Sequence, residues 1–214
     1  VKPRLIILSG PSGGGKTTVA RQLERTRDDV GFSVSATTRP PRASEQDGVD
    51  YYFFGRDTFE RKRDEGAFLE WAEYAGNLYG TLKSEVDRVL ANGRHVLLDI
   101  EVQGAEQVRR ARPDAIAVFV IPPAADQLLE RLAGRRSEDT DQVVRRVEQA
   151  GRELAVAHTY DWVLVNDRVD RAVRSLAGVI DGDPGAAATP AEEAARIADI
   201  RRALEAWLAR YRKH

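Results

Sequence analysis

Residues 4 to 18 set an apolar run, RLIILS, directly against a glycine-rich turn, GPSGGGKTT, and this adjacency restricts the fold more than any other feature of the chain. The turn fits G-x-x-x-x-G-K-[ST], with Gly10, Gly15, Lys16 and Thr17 at the fixed positions. An apolar strand that runs through such a turn into a helix belongs to a strand–helix–strand unit, whose setting is a parallel sheet covered by helices. The residue types also define a chemistry. Glycines let backbone N–H groups close around phosphate oxygens, and the following helix N-terminus adds partial positive charge. The stretch Gly10, Pro11, Ser12, Gly13, Gly14, Gly15, Lys16, Thr17 and Thr18 is therefore a candidate nucleotide-phosphate loop. Within it Lys16 can bridge the β and γ phosphates and Thr17 can ligate Mg²⁺. A dinucleotide fingerprint is disfavoured, because G-K-T closes the loop and no acidic residue ends the next strand.

The apolar-strand rhythm recurs. HVLLDI (95–100) precedes a helix near 102–111, AIAVFVI (115–121) stops at Pro122 and Pro123 before a helix near 124–134, and DWVLVN (161–166) precedes a helix near 168–180. The expected fold is α/β of the P-loop NTPase type, a parallel sheet flanked by helices. Between residues 49 and 81 the rhythm changes to YYFF, a short charged helix from Asp57, and FLEWAEYAGNLYG, which predicts a small strand-rich insertion. Asp99, at the end of LLDIE, is the candidate second acidic residue for orienting Mg²⁺, with Glu101 beside it.

Composition narrows the partners. A formal net charge of −1 gives no global attraction to nucleic acid or to anionic lipid, so neither is an expected partner. No apolar run approaches the ~20 residues of a membrane span, and LIIL is too short for a signal peptide. The absence of cysteine excludes disulfides and thiolate metal sites and fits a reducing, cytoplasmic setting. His95, His158 and His214 are scattered and lack zinc-ligand spacing. The expected ligand is small.

SVSATTRPPR (33–42) begins like a strand and ends with Arg39 and Arg42 around two prolines. Pro40 and Pro41 fix φ near −65°, so the loop is pre-set and presents two guanidinium forks that suit a phosphate dianion. For an RPPR taken alone, a solvated turn is the commoner fate.

Together these stretches resemble the guanylate kinases. The resemblance rests, in order, on GPSGGGKTT, on SVSATTRPPR followed by Glu45 and GVDYYF, and then on FLEWAEYAGNLYGT, LLDIEVQG and ELAVAHTYDWVLVND. It implies ATP as phosphoryl donor with Mg²⁺ and GMP as acceptor. It also implies a P-loop core (1–34, 82–124, 157–180), a GMP-binding region (35–81) and a helical lid (125–156). By the same resemblance Arg39, Arg42, Tyr51 and Tyr79 hold the GMP phosphate, and Ser35, Glu70, Thr81 and Glu101 read guanine. Asp99 serves substrate and metal, Asn166 and Asp167 meet adenine, and Lys16, Arg42, Arg135 and Arg146 stabilise the moving phosphoryl group.

Three positions depart from the family pattern: Arg136 where a small residue follows the lid arginine, Ser44 before Glu45, and Glu101 in place of the shorter aspartate. Two alternatives stay open on sequence: a non-catalytic guanylate-kinase-like binding module, and a P-loop kinase with another phosphorylated acceptor.

DGDPGAAATP (181–190) reads as a linker, and residues 191–214 as an amphipathic helix capped by Thr189, with Pro190 in its first turn. Ile197, Ile200, Leu204, Trp207, Leu208 and Tyr211 make one apolar stripe on it. That stripe must pack either on its own domain or on a second copy of the chain.

Overall fold

Strands β1 (Leu5–Ser9), β2 (Val30–Phe32), β7 (His95–Asp99), β8 (Ile116–Ile121) and β9 (Trp162–Val165) share one sheet in the order β2-β7-β1-β8-β9 in the computed structural model, which describes residues 2–74, 76–133 and 140–211. The pairs β2–β7 and β8–β9 are parallel. The four strands expected from the apolar runs are all present, and the α/β expectation holds. A second sheet, of order β4-β3-β6-β5, is built from β3 (Ser35–Thr37), β4 (Tyr52–Phe53), β5 (Phe68–Tyr74) and β6 (Asn77–Leu82). The described chain divides into two compact units.

The first unit runs to Ile7 and resumes over Arg27–Ile116. It contains the second sheet and the helices α2 (Arg56–Asp64), α3 (Lys83–Ala91) and α4 (Val102–Ala111). Its small core is aromatic: Ala36, Phe59, Phe68, Leu78 and Leu82 are buried, with Tyr52, Phe54 and Trp71 packed against them. Phe59 is the one buried residue of the otherwise polar α2, and its ring stacks on Phe68 with centroids 4.3 Å apart. One stacked pair thus fixes a polar helix to the sheet. β5 pairs antiparallel with β6, with a register shift between Phe68 and Glu70.

The second unit comprises Leu8–Thr26 and the residues from Ala117 onward. Residues 117–121 of β8 are fully buried, as a strand covered on both faces must be. Helix α1 (Lys16–Thr26) buries Val19, Ala20 and Leu23 and packs on α7 (Val169–Asp181). The helices α5 (Ala125–Ala133) and α6 (Thr140–Ala155) both meet α8 (Ala194–Tyr211). Arg135 and Arg136 lie outside the described residues.

The C-terminal helix starts later than its sequence signals suggest. The capping box forms, since Thr189 N and Oγ1 both donate to Glu192 Oε2, at 2.7 and 2.8 Å. Residues 190–193 are nevertheless turn, because a tighter bond from Ala194 N to Ala191 O (3.4 Å) interrupts the helical ladder. The segment before it is tied down as well: Val163 N donates to Ala188 O at 2.8 Å, adding a bridge beside β9.

Candidate active site

The predicted residues fall into two sets, one in each unit. In the second unit the glycine loop links β1 to α1. Gly10, Gly13 and Gly15 adopt φ of 141°, 79° and 92°, a region that side chains with a Cβ rarely occupy. Space forbids a Cβ as firmly: one on Gly10 would lie 2.3 Å from Val120 O, and one on Gly15 would lie 2.2 Å from Asn166 Nδ2. Asn166 is buried after β9 and donates to Gly14 O at 3.0 Å, so the predicted adenine-side residue also braces the loop. Asp167 accepts from Arg168 N at 2.7 Å and pairs with Arg171. Lys16 is buried, its Nζ donating to Gly10 O (2.7 Å) and Pro11 O (3.3 Å), which holds the ammonium against the loop. Thr17 and Thr18 are exposed in the first turn of α1.

Two loop braces were not legible in the motif. Arg131 of α5 donates to Gly13 O at 3.0 Å, and buried Glu153 of α6 accepts Ser12 N–H at 3.2 Å while Gln149 holds its other oxygen at 2.9 Å. Arg146 lies seven residues before Glu153, two turns along α6 and on the same face. The helix that carries this arginine is thereby bonded to the phosphate loop.

In the first unit Arg39, Tyr51 and Tyr79 are gathered. The Arg39 guanidinium sits 5.5 Å from the Tyr51 ring centroid and 5.8 Å from that of Phe53, and the Tyr51 and Tyr79 rings meet edge-on at 6.3 Å. Glu45 ties the proline loop shut: one oxygen takes Arg39 Nη2 and the other takes Arg42 N, each at 2.8 Å. Its carboxyl is held below the usual range by the Arg39 guanidinium first and the Arg42 N–H second, and Arg39 is raised by Glu45 in turn. The Arg42 side chain is exposed.

Ser35, Thr81 and Glu70 stand in one row across β3, β6 and β5, because Ser35 pairs with Thr81 and Glu70 pairs with Thr81. Cross-strand partners share a face. Thr81 Oγ1 donates to Glu70 Oε1 at 2.6 Å with both residues buried. Burial pushes the Glu70 carboxyl above its usual range, and its hydrogen bonds from Thr81 pull the other way. Asp99 ends β7 and Glu101 immediately precedes α4. One turn into α4, Gly104 lies against Glu70, where a Cβ would come within 2.7 Å of Oε2.

A glycine loop opening a helix off a parallel strand, in a chain that also holds an arginine–tyrosine cluster and a buried carboxylate, defines a P-loop phosphotransferase with a phosphate-bearing acceptor. The guanylate kinase family model matches residues 2–183. Relatives named guanylate kinase include one from Thermus thermophilus, 47% identical over 86% of this chain and 83% of the relative, and one from Thermobifida fusca, 49% identical over 83% and 90%. Among solved structures, the guanylate kinase from Anaplasma phagocytophilum superposes with a TM-score of 0.67 at 28% identity, covering 86% of this chain and 87% of that one. The chain belongs to the guanylate kinase family and is a nucleoside-monophosphate kinase that uses ATP as co-substrate.

Proposed function

We propose that the chain transfers the γ-phosphoryl group of ATP to GMP, giving ADP and GDP. An oxygen of the GMP phosphate attacks the γ-phosphorus, a new P–O bond forms, and the bond to the β-phosphate oxygen breaks to release ADP. Such a step asks mainly for positioning and placed positive charge. On this reading residues 10–18 cradle the ATP phosphates, Lys16 spans the β and γ groups, and Asn166 and Asp167 border adenine. Arg39, Arg42, Tyr51 and Tyr79 clamp the GMP phosphate, and Ser35, Glu70, Thr81 and Glu101 read the base. Arg42, Arg146 and Arg135 add charge around the transferred group.

Mg²⁺ fits the donor chemistry present. Thr17 offers a hydroxyl at the mouth of the glycine cradle and Asp99 a carboxylate at a strand end, both hard oxygen donors. Among the described residues no group of three or more His, Asp or Glu could hold a metal. Mg²⁺ at a nucleotide takes most of its ligands from phosphate and water. With the nucleotide bound, such an ion would neutralise charge on the ATP phosphates.

The division into core, GMP-binding region (35–81), lid (125–156), linker and terminal helix belongs to the same proposal, with the lid excluding water when both nucleotides are bound. So does a cytoplasmic setting, which fits a sequence without cysteine; no described helix is long and apolar enough to cross a membrane. A second copy of the chain would join at the end of α8, where Tyr211 is exposed and stacks on Trp207 at 4.0 Å.

The observation that carries the acceptor assignment is the buried Glu70 carboxylate bonded to Thr81. One carboxylate can accept from both N1–H and the 2-amino group of guanine, an edge that adenine lacks. Coupled ADP release with GMP, AMP, CMP and UMP tests it. GMP is expected to exceed AMP by orders of magnitude, up to ~10⁴, and parity between the two would overturn the assignment.

A further inference from the structure

Among the described residues β5 is the outer strand of its sheet, with β6 as its one strand partner. The outward N–H and C=O groups of an edge strand need other partners. At Trp71 a single side chain supplies both: Gln107 of α4 accepts Trp71 N–H on Oε1 at 3.2 Å and donates Nε2 to Trp71 O at 2.9 Å. A primary amide can give and take in one plane, as a peptide group does. Gln107 therefore stands in for a further strand at one residue, and that residue directly follows Glu70.

Two more features converge on the same carboxylate. Phe68 pairs with Leu82 and Glu70 with Thr81, so Leu69 is the extra residue of a bulge. Bulges next to functional sites re-aim a side chain. Gly104 precedes Gln107 by three positions on α4, which puts both on one helix face. A Cβ on Gly104 would stand 2.7 Å from Glu70 Oε2 and 3.2 Å from its Cδ. Glycine inside a helix costs about 1 kcal/mol relative to alanine. Here the missing methyl leaves the room that the carboxylate occupies.

We infer that α4 sets acceptor selectivity, with Gly104 and Gln107 acting as positioning residues that fix where the Glu70 carboxylate points. The inference rests on Glu70 reading guanine, as proposed above. A carboxylate that must meet N1–H and the 2-amino group together tolerates little displacement. Moved, it keeps one donor and loses the other. The acceptor class at stake is thus a purine monophosphate with a 2-amino group beside N1–H, as against one with N1–H alone.

The test compares GMP, IMP and AMP as acceptors for the full chain and for Gly104→Ala and Gln107→Leu, with Tm measured alongside. Wild type is expected to favour GMP over IMP by roughly tenfold or more, the value of a charge-assisted hydrogen bond. Each variant is expected to lower the GMP:IMP ratio of kcat/KM by about fivefold or more through the KM for GMP, leaving the KM for ATP unchanged. Gly104→Ala should keep a Tm at or above wild type, and it decides the matter alone where Gln107→Leu fails to fold. An unchanged ratio in a wild type that prefers GMP overturns the inference and leaves the assigned reaction standing. Equal losses with GMP and IMP overturn it too, since they report a structural role only. A wild type with no preference for GMP over AMP overturns the base reading itself, and the inference with it.

Discussion

The Thr81 hydroxyl lies 2.6 Å from Oε1 of Glu70, so a buried carboxylate that burial drives toward its neutral form keeps hydrogen bonds from Thr81, side chain and backbone, that favour the ion. A carboxyl whose folded pKa exceeds its unfolded value holds a proton that the unfolded chain has released. Stability therefore falls as pH rises through the window between the two values. Glu70→Gln is expected to raise the Tm of the nucleotide-free protein, by a margin that grows across that window and levels off above it. The same variant should lose at least about tenfold in kcat/KM for GMP, because its amide NH₂ faces guanine donors. Calorimetry across pH, paired with acceptor kinetics, checks both halves. An unchanged kcat/KM would remove Glu70 from the base pocket.

Glu45 is expected to act on GMP affinity through the arginines it holds. Replacing it with alanine leaves Arg39 without its ion pair and Arg42 N without its acceptor. The KM for GMP should then rise severalfold, while the KM for ATP stays put. The effect has a pH counterpart with the opposite sign to Glu70. The Glu45 carboxyl is depressed, so its contribution is present above the ordinary carboxylate range and is lost as pH falls through the lowered value. In wild type the KM for GMP should drift toward that of Glu45→Ala in strongly acid buffer.

The glycine loop gives a steric prediction. Gly15→Ala forces a Cβ to within 2.2 Å of Asn166 Nδ2 at a φ of 92°. Trimming the neighbour, as in Gly15→Ala with Asn166→Gly, relieves the clash but not the backbone strain of about 1–3 kcal/mol. Gly15→Ala should cost on the order of a hundredfold in kcat/KM for ATP, the scale of a misplacement near 1 Å. The double variant should recover only part of it. Full recovery would show that the glycine is needed for space alone.

What the sequence disclosed and what it withheld have separable causes. The strand runs, the glycine loop and the helices after 101, 124 and 168 were readable because period, turn chemistry and buried β-runs are local signals. Ser12 to Glu153 and Trp71 to Gln107 were not, since they join residues 141 and 36 positions apart and no spacing rule reports such a pair. Helix α6 is rich in charged residues, yet Val143, Val147, Ala150 and Leu154 recur on it at helical spacing and form a buried stripe. The start of α8 was misplaced because a capping box marks a turn that closes, and here the closed turn precedes the regular ladder.

Helix α8 lies beyond the residues matched by the family model. Ile197, Ile200 and Leu204 of its stripe are buried within the second unit, where α8 meets α5 and α6. Those two helices carry Arg131 and Arg146 and fall within residues 125–156, so the terminal helix packs against the segment proposed as the lid. Arg196 adds a bond from Nη1 to Pro123 O at 3.0 Å, just before α5 begins. Ile200→Ala should destabilise by roughly 2–4 kcal/mol, the range for emptying a buried aliphatic site. Truncation after residue 182 should lower Tm further and bare the α5 and α6 faces. If α8 only shields those faces, GMP and ATP affinities of the truncated chain, measured below its Tm, match those of the full chain. If it also sets the lid, kcat falls while GMP binding alone is unchanged. Light scattering on the same two chains addresses assembly: a full-chain mass of two subunits that drops to one on truncation assigns the joint to the end of α8 around Trp207 and Tyr211. Equal single-subunit masses would remove the proposed oligomer and leave α8 wholly to its own chain.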